Sequence, residues 1–236
     1  MIHYDSLAIN RNMALDLPFR EGIGTITHSL AKTHPLVTIV DVGGVWTILD
    51  SYLNVLTLDG ASDYLWASNA DTGLLDFTDE DYSIGGWFWF TDAGSDDKTI
   101  MGRWVTSNNG WEVYHYKTNH SITLRHHHAA GGSLRSACYT NNWTFGKWWF
   151  LGISRTGVSG QFYRGDINGF SALTTLNGTG LEDPETCAAN LNIGRSPADE
   201  NYDNGMLWRP RVWFNRALTE AEFQQIWKKE VRWFRS

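Results

Sequence analysis

Cysteine and charge are both scarce in this sequence, and each shortage excludes a class of protein. The 236 residues include two cysteines, Cys138 and Cys187, which are too few for a disulfide framework, so free thiols are expected. Charged residues make up 19% and aromatic residues 14% of the chain, whereas disordered chains are highly charged and poor in aromatics. The 19 Lys and Arg residues against 26 Asp and Glu give a net charge of −7. This balance argues against nucleic acid as a partner, because proteins that bind it carry a basic face.

Long apolar runs are missing as well. No stretch approaches the ~18 consecutive apolar residues of a membrane span, so no membrane insertion is expected. Residues 1–17 lack the basic and the continuous apolar regions of a secretory signal peptide. Two expectations follow: the protein is made and assembled in a cytoplasm, or an export signal has been removed. The length suits one domain, since all-β sandwiches reach ~250 residues.

Short runs with alternating apolar residues recur along the chain, separated by clusters of Gly, Asn and Asp. Gly110–Tyr116 alternates with the period of a half-buried strand, and Tyr82–Phe90 is an aromatic run of strand length. Similar runs lie at 121–125, 148–153, 160–164 and 211–214. Many short strands between turn clusters predict an antiparallel sandwich rather than an α/β fold.

One segment has the period of a helix instead. Thr219 and Glu222 have the spacing of a capping box, in which each side chain bonds the backbone N–H of the other. Phe223, Ile226 and Trp227 follow on one helical face, and the apolar pattern continues to residue 234. The sequence therefore predicts an amphipathic C-terminal helix over 219–234.

Several short segments occur in a familiar order. They lie at 15–25 (with E-G-I-G-T), 56–64 (L-T-L-D-G-A-S-D-Y), 81–89 (D-Y-S-I-G-G-W-F-W), 100–104, 142–148, 190–194 and 214–222 (F-N-R-A-L-T-E-A-E). This ordered set resembles the laminin-G-like, concanavalin A-like family of jelly-roll domains. The resemblance implies an all-β, two-sheet antiparallel jelly-roll sandwich with a short C-terminal helix. It also implies one concave sheet, with binding loops at one edge.

On this interpretation residues 1–14 form an N-terminal arm, and residues 15–236 form the jelly-roll domain including the helix at 219–234. The resemblance does not select a function by itself. The same superfold carries lectins, glycosidases, adhesion modules and virion proteins. The function has to be argued from individual residues.

The resemblance suggests a calcium site as one alternative. Some members of the family hold Ca²⁺ with the aspartate of the D-G turn, and Asp59 and Asp63 occupy this turn here. The second half departs from the family, because Gly205–Arg211 lacks the paired acids found in many relatives, and Asp203 is the available substitute. In the other alternative, Asp59 and Asp63 only cap and shape the turn.

An enzyme is disfavoured. Glucanases of this fold carry an E-x-D-x-x-E strand that aligns two carboxylates, and the string does not occur in this sequence. His126 and His128 would share one face of a strand and could flank a metal ion, with His115 or His120 as a third ligand. Exposed histidines at the end of a strand are the more common case. We therefore expect no catalytic residues.

Thirteen tryptophans are present, and those near turns are candidate contacts with a sugar or a protein chain. The candidates are Trp66, Trp104, Trp111, Trp143 and Trp208. For any one of them, a place in the core is the competing interpretation.

The leading hypothesis is a non-enzymatic virion component of the bacteriophage type, such as a decoration, fibre or tail protein. It would be assembled in the host cytoplasm, contact other copies of itself or capsid proteins, and bind surface glycans. The alternative is a free-standing, extracellular lectin-like protein that binds carbohydrate. A glycoside hydrolase comes third.

Overall fold

A computed structural model of the chain describes residues 7–31, 35–40, 45–91, 97–105, 109–128, 135–197 and 202–235. Within these ranges the chain forms seventeen strands, one α-helix and three short 3₁₀ turns. The strands are β1 (Met13–Asp16), β2 (Ile26–His28), β3 (Leu36–Val40), β4 (Trp46–Ile48), β5 (Asn54–Asp59), β6 (Tyr64–Ala67), β7 (Tyr82–Phe90), β8 (Lys98–Trp104), β9 (Gly110–Tyr116), β10 (Ser121–His127), β11 (Arg135–Thr140), β12 (Trp148–Thr156), β13 (Ser159–Gly165), β14 (Phe170–Leu173), β15 (Leu176–Gly180), β16 (Leu191–Ile193) and β17 (Asn204–Phe214). Helix α1 spans Glu220–Glu230, and the 3₁₀ turns are Ala8–Asn10, Gly73–Leu75 and Val231–Phe234.

The described strands form two antiparallel sheets. One has the order β14-β13-β12-β7-β17-β5-β4, with β1 paired to β17; the other has the order β15-β11-β10-β9-β8-β16-β6-β3-β2. We call the first the helix-side sheet, because α1 packs on its outer face, and the second the opposite sheet. The predicted class, an all-β antiparallel sandwich of the jelly-roll type with a short C-terminal helix, is confirmed.

The core lies between the two sheets, where alternate residues of each strand point inward. Ile84 and Phe88 of β7 contribute from the helix-side sheet, and Leu65, Val113 and Leu124 contribute from the opposite sheet. All of these side chains are buried. The alternation seen in the sequence is therefore the alternation between core and outer face.

The C-terminal helix forms as the capping box predicts. The Thr219 side chain accepts a hydrogen bond from the backbone N–H of Glu222, and the Glu222 carboxylate accepts one from the backbone N–H of Thr219. After α1, the chain continues into the 3₁₀ turn Val231–Phe234 and ends on the outer face of the helix-side sheet. In the described residues, no helix is long and apolar enough to cross a bilayer.

Two glycines make room for α1. Gly85 and Gly152 are direct cross-strand partners on β7 and β12, and the fully buried ring of Phe223 lies over both of them. A Cβ atom at Gly152 would stand 2.9 Å from a ring carbon of Phe223, and one at Gly85 would stand 3.2 Å away. The helix can lie this close to the sheet because neither position carries a side chain.

A cluster of charges fixes the same helix from its C-terminal end. Glu230 accepts hydrogen bonds from the indole N–H of Trp87 (3.0 Å) and from the guanidinium of Arg211 (3.2 Å). Arg209 bridges Glu230 and Asp16, at 3.1 and 2.9 Å. Asp16, Arg211 and Glu230 are buried, and buried charges are tolerated only when they are paired. The cluster therefore joins β1, β17 and α1.

The stretch assigned to an N-terminal arm lies partly on the sandwich. Residues 1–6 are outside the described ranges. The indole of Trp213 donates to the carbonyl of Ile9 at 2.9 Å, and Arg216 donates to the carbonyl of Ala8 at 2.7 Å. Strand β1 begins at Met13, inside the stretch 1–14, and pairs with β17. Met13 and Ala14 therefore belong to the helix-side sheet, and Ala8 and Ile9 are hydrogen-bonded to side chains from β17 and the segment that follows it.

Cys138 and Cys187 are both free and buried, as expected. Burial raises the pKa of the Cys138 thiol to about 12. A thiol of this kind has little thiolate at neutral pH, and thiolate is the reactive form. Cys138 therefore acts as a small core residue.

The glycine pair generates a prediction. We expect Gly152→Ala to lower the free energy of unfolding by about 1–3 kcal/mol, because the added methyl group overpacks the contact with Phe223. Urea unfolding followed by tryptophan fluorescence measures the effect. Gly169→Ala is the matched control, since a Cβ at Gly169 meets nothing within 4 Å. Equal stability of the two variants would show that the close approach at Gly152 is unimportant.

Candidate functional site

Three neighbouring strands of the opposite sheet carry a row of side chains on its outer face. Trp66 of β6 is the cross-strand partner of Asn192 on β16, and Asn192 is the partner of Gly102 on β8. Leu65 and Ile193, which alternate with these residues, are in the core. The row therefore faces away from the core. Tyr64 lies two residues before Trp66 and shares its face.

A groove with a volume of about 590 Å³ lies above this row. It is lined by Tyr64, Trp66, Trp104, Val105, Ala188, Ala189, Asn190, Asn192, Arg195 and Pro197. The Arg195 guanidinium carbon lies 3.5 Å from the centroid of the Tyr64 ring, and an Arg195 nitrogen donates to the Asn192 Oδ1 at 3.2 Å. The groove thus combines aromatic rings with amide groups and one positive charge.

A polar network beneath the groove fixes one of its rings. Trp104 stacks on His127, with centroids 4.5 Å apart and planes inclined by 2°. The His127 Nε2 is 3.0 Å from the Glu112 Oε1, and the same oxygen accepts a hydrogen bond from Arg125 at 2.9 Å. His127 and Glu112 are buried, so this network is shielded from water. It positions the Trp104 ring with little freedom to move.

The structure separates the five candidate tryptophans into two groups. Trp66 and Trp104 lie in the groove. Trp111 and Trp143 are fully buried, and Trp208 is covered by Phe234 on the helix-side sheet. Rings enclosed in this way fill the core and present no face to a ligand. Trp104 is also buried, with 7% of its surface exposed, but it borders the groove, whereas none of these three rings lines it. They are therefore removed from the set of candidate contacts.

The proposed calcium ligands were Asp59, Asp63 and Asp203. The Asp59 carboxylate caps its own turn, accepting backbone hydrogen bonds from Ala61, Ser62 and Asp63 at 2.8–2.9 Å. Partial burial acts to raise the pKa of Asp59, but these hydrogen bonds outweigh it and hold the pKa well below its usual range. The turn-capping interpretation of Asp59 is thus the one that the structure displays.

Asp203 is buried, and burial raises its pKa to about 7, against the smaller opposing effects of the Asn204 N–H and Lys98. Calcium needs six to eight oxygen ligands, including ionised carboxylates. Among the described residues, no three His, Cys, Asp or Glu side chains are grouped to hold a metal ion. The residues do not fit a calcium site as they are placed, and calcium stays a prediction.

The histidine run is buried rather than exposed, which corrects the expectation from sequence. His126 points into the core, where its Nε2 is 2.6 Å from the Tyr82 hydroxyl and its Nδ1 is 2.6 Å from the Glu182 carbonyl. Both ring nitrogens are therefore engaged and are not available to a metal. Burial lowers the pKa of His126 to about 3, with the nearby charge of Arg155 acting in the same direction and the Glu182 carbonyl opposing it.

Sequence reasoning missed Tyr64, Asn192 and Arg195 as site residues. One signal for Tyr64 was present, since it is two residues before Trp66 in an alternating strand. Asn192 lies in the segment 190–194 noted in the sequence, but nothing local marks it or Arg195 as a site residue, because their relevance arises from the pairing of β16 with β6 and β8. Long-range strand pairing is not visible in a single sequence.

Comparisons of this chain with known proteins show its class of fold. No family model matches the chain, and no curated protein matches it by sequence. Solved structures do match the chain in fold, and several of them are receptor binding or ligand binding domains of botulinum neurotoxins. The laminin-G-like or concanavalin A-like family assignment thus stays a prediction, while the sandwich fold is shown.

The chain is similar to the receptor binding domain of botulinum neurotoxin C/D mosaic serotype, with a TM-score of 0.67 and 15% identity over 94% of this chain and 52% of that one. It is equally similar to the serotype D ligand binding domain in complex with N-acetylneuraminic acid, with a TM-score of 0.67 and 15% identity over the same shares. A third is the binding domain of botulinum neurotoxin DC in complex with SialylT, with a TM-score of 0.62 and 12% identity over 94% of this chain and 52% of that one. This chain thus spans about half the length of these domains.

The buried histidine generates a pH prediction. Below its ordinary pKa of 6.5, the side chain of His126 takes up a proton in the unfolded chain but not in the folded one until about pH 3. Stability is therefore lost as the pH falls through this window, by about 1.4 kcal/mol per pH unit from this group. We expect the stability of His126→Gln, measured by urea unfolding between pH 7.5 and 4.5, to fall less steeply.

His28→Gln is the control for that experiment, because the His28 side chain is 67% exposed. Its pH profile should match that of the unmodified protein. If His126→Gln retained the full pH dependence, the stability loss would have to arise from other groups, such as His115, whose pKa burial lowers to about 4.

Proposed function

We propose that this chain is a non-catalytic carbohydrate-binding module whose ligand lies in the groove of Tyr64, Trp66 and Trp104. The observation that carries the proposal is the juxtaposition of these three rings with the amide and guanidinium groups of Asn192 and Arg195. Flat aromatic faces pack against the C–H face of a sugar ring, and a few fixed polar groups orient its hydroxyls. The groove supplies both kinds of contact.

The lining of the groove favours binding over hydrolysis. Glycosidic bond cleavage requires a pair of carboxyl groups at a fixed separation. Among the described residues that line this groove, none is Asp or Glu. Glu112 lies beneath it but is engaged by Arg125 and His127.

The structural neighbours support a glycan partner at the level of the fold. They are receptor binding or ligand binding domains, and one was solved with N-acetylneuraminic acid. A shared fold is an analogy and does not transfer a ligand. The groove residues of this chain carry the proposal, and the neighbours add to it.

The module has two alternative settings, a virion and the extracellular space, and both are expectations from the sequence. A virion component of the bacteriophage type would be present in many copies and contact other virion proteins. A free-standing extracellular lectin would bind its glycan alone. Light scattering of the purified chain, together with a test for co-purification with particles, separates the two settings.

The test of the proposal is a glycan array probed with the purified protein, in calcium and again in EDTA. We expect selective binding that EDTA leaves unchanged. Trp66→Ala should weaken it by about tenfold or more, because aromatic anchors carry much of the energy of a binding site. Trp233→Ala is the matched control, since Trp233 is a partly buried tryptophan in the 3₁₀ turn after α1 and does not line the groove.

Two results would contradict the proposal. A blank array, with the protein shown to be folded, would indicate a purely architectural role. Equal losses in Trp66→Ala and Trp233→Ala would place the ligand elsewhere on the molecule. Loss of binding in EDTA would leave the module intact and support the calcium site at Asp59.

A further inference from the structure

A buried hydrogen-bond donor without a partner borders the groove of Tyr64, Trp66 and Trp104. The Trp104 side chain is 7% exposed, and its indole N–H makes no hydrogen bond within the part of the chain that the structure describes. An indole N–H donates and does not accept, and a buried donor that stays unpaired costs free energy. An oxygen atom of a ligand that accepts from this N–H would remove that cost. The donor is therefore a point at which the groove selects the chemistry of its ligand.

The pyrrole edge of the Trp104 ring lies over the floor of the groove. Gly102 is the β8 member of the outward-facing row that also contains Trp66 and Asn192. A Cβ atom at Gly102 would stand 3.2 Å from the Cδ1 of Trp104, which is the ring atom bonded to the indole nitrogen. The indole N–H therefore lies beside the floor of the groove and not in the core between the sheets.

The side-chain oxygens of the two asparagines in the groove already have partners. The Asn190 Oδ1 accepts a hydrogen bond from the backbone N–H of Asn69 at 2.9 Å. The Asn192 Oδ1 accepts one from Arg195 at 3.2 Å. A sugar hydroxyl that accepts from the indole would still need an acceptor for its own proton. An oxygen that only accepts is therefore the better complement to this part of the groove.

The wall next to Trp104 is apolar. Val105 follows Trp104 in the chain and is 43% exposed. The other apolar residues that are not aromatic in the lining are Ala188, Ala189 and Pro197. A methyl group gains free energy on leaving water for such a surface, whereas a charged group loses its hydration there. The accepting oxygen should therefore belong to a neutral group that also carries a methyl group.

We infer that the groove binds a hexosamine whose nitrogen is acetylated. The carbonyl oxygen of the acetamido group accepts from the indole N–H of Trp104, and the methyl group packs on Val105 and Ala188. The sugar ring itself lies against the partly exposed ring of Trp66. An acetamido group places an oxygen that only accepts next to a methyl group, as the two neighbouring features of the groove require. This inference rests on the proposed function and adds the class of sugar to it.

The experiment compares glycosides that differ at one position. Glucose and galactose are immobilised with a hydroxyl, a free amine, an N-formyl group or an N-acetyl group at the second carbon, and the full chain is applied to each. The N-formyl sugar keeps the accepting carbonyl but lacks the methyl group, so it separates the two contacts. We expect binding to strengthen by about tenfold from hydroxyl to N-acetyl, with N-formyl between them and the free amine no better than the hydroxyl.

Trp104→Phe tests the donor, because it removes the N–H and keeps an aromatic ring over His127. It should lower the preference for both N-acyl sugars over the hydroxyl sugar by about fivefold, the worth of one neutral hydrogen bond. Trp233→Phe is the matched control, since Trp233 is also a tryptophan that is mostly enclosed and does not line the groove. It should leave every preference unchanged.

Val105→Ser tests the apolar wall at an exposed position, where the change does not disturb the core. It should remove the preference for N-acetyl over N-formyl and keep the preference for N-formyl over hydroxyl. Val158→Ser is the matched control, since Val158 is 66% exposed and does not line the groove. Urea unfolding of all four variants shows whether any change in binding follows from lost stability.

The outcomes separate this inference from the function on which it rests. Equal binding of the N-acetyl and hydroxyl sugars would overturn the inference and leave a carbohydrate-binding module. A preference for N-acetyl that Trp104→Phe leaves intact would also overturn it, because the donor would then lie elsewhere. A folded protein that binds no sugar would reject the function and the inference together.

Discussion

The structure depends on a cluster of four charged side chains, of which Asp16, Arg211 and Glu230 are buried and Arg209 is partly exposed. The cluster joins the first strand, the central strand β17 and the C-terminal helix. Removing one member of such a cluster leaves a buried charge uncompensated, at a cost of about 3–5 kcal/mol. Because the cluster holds α1 on the helix-side sheet, that face is occupied by the protein itself. The outer face of the opposite sheet is left to present a groove.

The aromatic residues are also divided between the outer faces of the two sheets. Under the helix, Trp87 stacks on Phe234 with centroids 4.2 Å apart, and Trp213 meets the edge of Phe223. These rings are buried by the helix and act as a second core layer. On the opposite sheet, the ring of Trp104 rests on an ordered polar network that keeps it in place at the groove. The same kind of side chain therefore fills a second core layer on one face and lines a groove on the other.

The chemical character of the groove depends on charged side chains beneath it that are already paired with one another. Glu112 holds His127 under Trp104, and Arg103, which donates to the carbonyl of Ala189, is paired with Asp76. Because these contacts satisfy the charges beneath the groove, the groove offers aromatic rings, amides and the indole N–H of Trp104. The proposed carbohydrate function rests on these groups.

The sequence by itself determined the sandwich class, the position of six of the strands and the start of the helix, because these depend on short-range patterns. Alternation marked strands such as Gly110–Tyr116, and the spacing of Thr219 and Glu222 marked the helix start. The tertiary structure alone decided which tryptophans line the groove. Trp66 and Trp104 share it because β16 lies between β6 and β8, whereas Trp111, with similar local surroundings in sequence, points into the core. Strand order and register are long-range properties, and a shift of one residue exchanges the two faces of a strand.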